Sequence, residues 1–141
     1  MLKLGFLGTF EHSLDEKGRV SIPSKYKKSI EQTTLDPEFR NIIVLVKSKE
    51  KCIEVIPAEE WARMMDEYSK NLKLDDSGED LKYVNIKLSD ASDQRIDKSG
   101  RILIPPKLRD YAGISKKAVF VGGGNRFYIW DEAEYEKYYR K

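Results

Sequence analysis

Arginine and lysine are the residues whose types and spacing in this sequence suggest chemistry. Arginine directly follows glycine at Arg19 and again at Arg101, 82 positions later, and further cations lie near both. A guanidinium group can bind a phosphate or a guanine edge through two parallel hydrogen bonds, which lysine cannot do. The pattern therefore predicts recognition of nucleic acid. The predicted contact residues are Arg19, Arg101, Lys17, Lys25, Lys27, Lys28, Lys98, Lys107 and Arg109.

A structural role is the alternative for these residues. Lysine and arginine often only solvate a surface, and Arg19 and Arg101 could each pair with an aspartate of the same turn. Two observations favour binding. The acidic residues gather at 75–80 and 131–136, and arginine follows glycine in both turns. For the aspartates, initiation of the turn is sufficient explanation, whereas for the arginines both roles stay open.

The cations belong to a segment that occurs twice. DEKGRVSIPSKYKK begins at Asp15 and DKSGRILIPPKLRD begins at Asp97, so two copies of one unit predict a pseudo-symmetric molecule. A later segment also recurs, at residues 52–61 and 126–135, but 74 positions apart, which places extra residues of the first copy in a loop at 31–40. Each copy would bury only a marginal core. We therefore predict repeats at 1–75 and 76–141, interlocked as one unit.

Two short strands around a turn are predicted at the start of each copy. Asp15 and Asp97 begin the turns, and Gly18 and Gly100 supply the left-handed conformation that returns the chain. Each second strand runs into proline, which ends pairing and favours a helix. A strand pair and an acidic helix then complete each copy. The predicted fold class is mainly β with short α-helices.

The linking region is less regular. Residues 61–74 have an amphipathic pattern, residues 75–80 are typical of a loop, and residues 82–88 are compatible with either strand or helix. Residues 122–125, GGGN, predict a turn between strands rather than a phosphate loop, since no Lys-Ser/Thr pair follows.

Composition excludes several functions. The 141 residues are 40% hydrophobic and 35% charged, with a net charge of +2 and no apolar run of the roughly 20 residues that a membrane span needs. One histidine and one cysteine cannot form a His/Cys metal cluster, and a single cysteine is typical of a reducing cytoplasm. No nucleophile with a supporting motif is evident. We expect no catalytic residue, no metal, no cofactor and no small-molecule substrate.

The paired D-x-x-G-R-[VI]-x-I-P blocks resemble swapped-hairpin domains of SpoVT–AbrB type, and two blocks in one chain are similar to the MraZ family. The resemblance covers nearly the whole chain. It implies a pseudo-two-fold, β-rich double swapped-hairpin barrel with short helices. It also implies a cytoplasmic, nucleoid-associated bacterial transcriptional regulator that forms homo-oligomeric rings. Its partner would be double-stranded DNA, at direct repeats in the promoter of the division and cell-wall gene cluster.

The resemblance also implies roles for particular residues. In AbrB-type relatives the turn arginine and basic residues of the following helix contact DNA, which corresponds here to Arg19 with Lys27 and Lys28, and to Arg101 with Arg109. The alternative function is a protein-interaction module of antitoxin type, because an AbrB-like fold also serves antitoxins. Antitoxins of that kind carry a long disordered tail, whereas this sequence stops directly after a helix-like segment, which favours the regulator.

Overall fold

A computed structural model describes residues 4–71, 85 and 87–140, and these form short strands and helices in the same order in each half of the chain. The first half contains β1 Thr9–Ser13, β2 Arg19–Ser21, α1 Ser24–Thr33, a 3₁₀ turn Pro37–Phe39, β3 Ile42–Lys47, β4 Ile53–Pro57 and α2 Ala58–Asn71. The second half contains β5 Ser92–Arg95, β6 Arg101–Leu103, α3 Pro106–Ala112, β7 Lys117–Gly122, β8 Phe127–Asp131 and α4 Glu132–Tyr139. The predicted mainly β fold with short helices is confirmed.

The strands form two antiparallel sheets. One has six strands in the order β1-β7-β8-β4-β3-β5, and the other is a two-stranded ribbon of β2 and β6. Since β1 and β5 are the outer strands of the larger sheet, closure into a barrel stays a prediction.

Both sheets have an approximate two-fold axis. In the ribbon, Arg19 pairs with Leu103 and Ser21 pairs with Arg101, so the axis passes between Val20 and Ile102. In the larger sheet, β4 and β8 meet in an equally symmetric register centred on the Glu54–Tyr128 pair. The pseudo-symmetry predicted from the sequence repeat is thus present in the strand registers.

The first strands of each half do not pair as simple hairpins. Instead β1 pairs with β7, β5 pairs with β3, and β2 pairs with β6, so each partner comes from the other half. The turn between β1 and β2 is closed by its own backbone hydrogen bonds, among them Gly18 N to Asp15 O at 3.0 Å. Local bonds therefore determine the turn, whereas the pairing is determined by which faces can be buried together.

The main core is shared by both halves. Tyr26 of α1 is fully buried, and its ring lies 4.8 Å from that of Phe127 and 5.3 Å from that of Phe10. Its hydroxyl donates to Gly8 O at 2.6 Å, and burial raises the pKa of this group to about 12. Leu108 of α3 is equally buried in this cluster. Each short helix is held by a core to which the other half contributes.

Helix boundaries follow the predicted proline and glycine signals. Pro23 and Pro105 precede the first helical residues of α1 and α3, and Gly113 ends α3 with a φ of +69°. The prediction of a loop at residues 31–40 is wrong in part, because α1 extends to Thr33 and Pro37–Phe39 forms a 3₁₀ turn. Thr33 Oγ1 donates to Ser29 O at 2.7 Å in the last turn of this helix.

The linking region is only partly described. The predicted amphipathic segment is helical through Asn71, and residues 85 and 87–89 are helical where the sequence left strand or helix open. The predicted loop at 75–80 lies outside the described residues. Among the described helices, none has the length and apolar character needed to cross a membrane.

The exchanged pairing predicts that a half cannot fold alone. A fragment of residues 1–75 lacks the partners of β1 and β2, so its core stays open. We expect one cooperative thermal transition for the whole chain and poorly dispersed amide NMR signals for the fragment. A soluble, monomeric and well-dispersed fragment would show that the halves are independent domains.

Candidate nucleic-acid interface

The ribbon of β2 and β6 has one buried side and one outward side. Val20 and Ile102 are each 1% exposed and face the core. Successive side chains of a strand point to opposite faces, so Arg19, Ser21, Arg101 and Leu103 share the outward side. Two guanidinium groups from sequence-distant repeats therefore lie on one small surface.

An aspartate organises each turn that leads into the ribbon. Asp15 Oδ1 accepts hydrogen bonds from the backbone N–H of Lys17 at 2.9 Å and of Arg19 at 2.8 Å. Asp97 Oδ1 repeats this arrangement with Ser99 and Arg101. These backbone bonds, above all those from the arginines, lower the pKa of both aspartates, and the arginine side chains lower it further. Both carboxylates are ionised at neutral pH.

The same aspartates pair with the turn arginines. Asp15 Oδ2 lies 2.8 Å from Arg19 Nε, and Asp97 Oδ2 lies 3.3 Å from Arg101 Nε. The contact to Arg19 uses Nε, so it orients the guanidinium without occupying its two terminal nitrogens. Arg101 Nη1 lies 4.0 Å from Asp15 and links the two turns. For Arg19 the ion pair and a binding role are therefore compatible, because each uses a different part of the side chain, whereas a terminal nitrogen of Arg101 also faces Asp15.

Two helix cations cross to the turn of the opposite half. The Arg109 guanidinium lies against Gly18, so close that a Cβ added to this glycine would be only 2.7 Å from Arg109 Cζ. Arg109 Nε also donates a hydrogen bond to Ile104 O at 2.9 Å. Lys27 occupies the related place beside the other turn, where its Nζ would be 3.8 Å from a Cβ added to Gly100. The helix cation that follows one turn in sequence thus lies beside the other turn in space.

The other predicted contact residues are exposed side chains of the turns and of the helices that follow them. Lys17 and Lys98 are exposed in the turns, and Lys25, Lys28 and Lys107 are exposed on the helices. Lys107 Nζ also lies 3.6 Å from Asp90, although the side chain is 83% exposed. Asp110 stands at the α3 position that corresponds to Lys28, which makes the second half less cationic. That these residues contact DNA stays a prediction.

Sequence reasoning missed Ser21 and Leu103, which complete the outward side of the ribbon. The signal for them was the alternation of side chains along Arg19-Val20-Ser21 and Arg101-Ile102-Leu103. If the central residue of each strand is buried, as Val20 and Ile102 are, the residues on either side of it must point outward.

Other candidate residues are structural. The His12 ring packs 5.6 Å from that of Phe120. Cys52 is buried, which raises the pKa of its thiol to about 11. Residues 123–126 connect β7 to β8, so the GGGN segment lies at the predicted turn between strands, with Gly122 as the last residue of β7. In the part of the chain that the structure describes, no three histidine, cysteine, aspartate or glutamate side chains cluster so that they could hold a metal ion.

The lowered aspartate pKa values predict acid sensitivity. A carboxyl group whose pKa is lower in the folded than in the unfolded state stabilises the fold at pH values above its unfolded pKa, which is near 3.9. This contribution to stability is lost as the pH falls through the folded pKa. Asp15→Asn and Asp97→Asn keep the Oδ1 acceptor but remove the charge. We expect the melting temperature of each variant to fall less between pH 6 and pH 2.5 than that of the original chain.

Asp66→Asn on α2 is the charge-matched control, because Asp66 pairs only with Lys70 among the described residues. If the turn variants and this control responded to acid equally, the turn carboxylates would have no special part in stability.

Comparison with known proteins assigns the family. Residues 6–81 and 88–141 match the family model of the MraZ protein, which is described as antitoxin-like. A transcriptional regulator MraZ of Kocuria rhizophila is 37% identical over 94% of this chain and 85% of its own length. Those of Natranaerobius thermophilus and Pediococcus pentosaceus are 36% and 39% identical over the same shares. The two matched regions follow the order of the two structural repeats, and the identity to these relatives extends over both repeats. The chain therefore belongs to the MraZ family.

Proposed function

We propose that this chain is a sequence-specific DNA-binding transcriptional regulator. The observation that carries the proposal is the ribbon, which presents Arg19 and Arg101 on one outward side about a pseudo-two-fold axis. The turns that lead into the ribbon and the helices that follow it also carry exposed lysines. The names of the matched relatives, all transcriptional regulators, support the same function.

The ribbon has a suitable size for the major groove of DNA. That groove is about 12 Å wide and admits a two-stranded β-ribbon. In this proposal Arg19 and Arg101 contact base edges, where the terminal nitrogens of an arginine match the O6 and N7 acceptors of guanine. Lys17, Lys98, Lys25, Lys28 and Lys107 contact phosphates, together with Lys27 and Arg109.

The turn aspartates contribute to selectivity in this mechanism. An arginine held at Nε by a carboxylate has fewer orientations to lose on binding. The neighbouring negative charge also weakens a purely electrostatic attraction to phosphate, so guanine binding gains relative to non-specific binding. The ion pair thus supports base reading rather than competing with it.

The finer features of the function follow the family resemblance. We propose that the chain acts in the cytoplasm, on the nucleoid, as a homo-oligomeric ring. Its operator would be direct repeats in the promoter of the division and cell-wall gene cluster. Direct protein–DNA contacts suffice for this activity, so we assign it no cofactor, no small-molecule substrate and no catalytic step.

A protein-interaction module of antitoxin type is the second candidate, and the antitoxin-like description of the family favours it. The two candidates differ in their dependence on the ribbon. Loss of the ribbon arginines would weaken operator binding by a regulator and reduce its sequence preference. An antitoxin that acts through another segment would still neutralise its toxin partner.

Substitution of the ribbon arginines tests base reading. Arg19→Ala or Arg101→Ala should weaken binding to the cognate duplex by about 1–3 kcal/mol and reduce its preference over a scrambled duplex. Arg→Lys at each position keeps the charge and should lose preference as well. Affinities from fluorescence anisotropy at one fixed salt concentration provide the measurement.

Arg63→Ala on α2 is the matched control, since Arg63 is exposed and pairs with Glu60 away from the ribbon. It should leave cognate binding unchanged. Equal losses on cognate and scrambled duplexes for the ribbon variants would instead identify Arg19 and Arg101 as phosphate contacts.

Operator length tests the oligomeric mechanism. One ribbon offers few base contacts, so tight binding should require several repeats, and linked sites can raise the affinity about 10²–10⁴-fold. Binding should weaken sharply for a single repeat. It should also weaken when about 5 bp are inserted between repeats, because half a helical turn moves the second repeat to the opposite side of the duplex.

Affinity for one, two and rephased repeats at constant salt separates multivalent binding from charge attraction. Lys27→Ala should reduce the slope of log affinity against log salt by about one. Indifference to repeat number and phasing would mean that one ribbon is sufficient.

A further inference from the structure

The two ends of the ribbon carry different side chains on its outward side. Arg19 lies directly opposite Leu103, whereas its counterpart Arg101 lies opposite Ser21. Directly opposed residues of antiparallel strands have Cβ atoms about 4.5–5.5 Å apart. One arginine therefore has an apolar neighbour, and the other has a hydroxyl.

Leu103 is exposed at a place where core packing does not explain a leucine. Its side chain is 39% exposed, while Ile102 and Ile104 on either side are 1% and 0% exposed. The pseudo-equivalent position carries serine, so the fold of the ribbon does not require an apolar residue there. A half-exposed leucine among cations is better suited to an apolar group of a binding partner.

The helix cations differ in the same sense. Arg109 lies beside the turn that carries Arg19, and its Nε is bound to the carbonyl of Ile104, the residue after Leu103. The opposite turn has Lys27 at the related place. The end of the ribbon with the leucine thus has two guanidinium groups, those of Arg19 and Arg109, so the two ends differ at two pairs of related positions.

We propose that Leu103 is a specificity-determining residue that contacts the 5-methyl group of a thymine in each operator repeat. The inference rests on the proposed DNA-binding function. Thymine is the base that presents a methyl group in the major groove, next to the acceptors that arginine reads. The serine at the related position provides no such apolar contact.

This contact sets the orientation of the protein on DNA. A ribbon with two identical halves would read both halves of a site alike and would prefer a palindrome. With Leu103 and Arg109 on one side and Ser21 and Lys27 on the other, the two orientations on a duplex are unequal. Successive copies of the chain would then bind successive repeats with the same polarity, as direct repeats require.

Removal of single methyl groups from DNA tests the contact. Each thymine of the cognate duplex is replaced in turn by deoxyuridine, which keeps the base-pairing edge and O4 but lacks the methyl group. For the original chain, one position per repeat should lose affinity by roughly three- to fivefold, the value for one buried methyl group. For Leu103→Ser, affinity for the unmodified duplex should already be lower. Replacing the sensitive thymine with deoxyuridine should then cause no further loss.

Two variants control for placement and folding. Ser21→Leu adds a leucine at the related position and should keep the original sensitive thymine. Leu35→Ser removes an exposed leucine outside the ribbon and should change nothing. Unfolding temperatures show whether each variant is folded.

The outcomes separate the inference from the proposed function. Failure of the original chain to prefer the cognate duplex over a scrambled one would overturn the function itself. Tight cognate binding with no sensitivity to any deoxyuridine would overturn only the leucine contact. The same conclusion follows if Leu103→Ser keeps the original sensitivity.

Discussion

The pairing of β2 with β6 is the contact on which the organisation of this surface depends. Three residues from each half form the ribbon, and Val20 and Ile102 at its centre anchor it in the shared core. Two strands of this length are not stable alone in water. They persist because the core beneath them is filled from both halves. The same pairing brings the two turns, and hence the two arginines, onto one surface.

Each turn aspartate serves folding and the candidate site together. The Oδ1 atom of Asp15 closes the turn through backbone N–H groups, while Oδ2 holds the side chain of Arg19. The ionised carboxylate therefore couples the shape of the turn to the direction of the guanidinium. A substitution that loosened the turn would also release the arginine. This coupling explains why a structural ion pair and a binding residue need not be alternatives.

Pseudo-symmetry and its local violations have different physical sources. The backbone frame repeats because inward positions such as Val20 and Ile102 must fill equivalent parts of one core. Outward positions are free of this constraint, so Ser21 and Leu103 can differ without cost to the fold. A symmetric frame can thus present an asymmetric chemical surface.

The sequence by itself determined the local elements of this protein. Asp and Gly at fixed spacing specify each turn, proline starts α1 and α3, and alternation marks the inward residues of the short strands, because each of these signals acts within a few residues. The repeat also indicated two related halves and the cations they share. Only the tertiary structure decided that β1, β2 and β5 pair across the halves, and that Arg109 and Lys27 lie beside the opposite turns. These contacts join residues far apart in the chain, and the burial of a common core selects them; no local pattern encodes which strand will supply the partner.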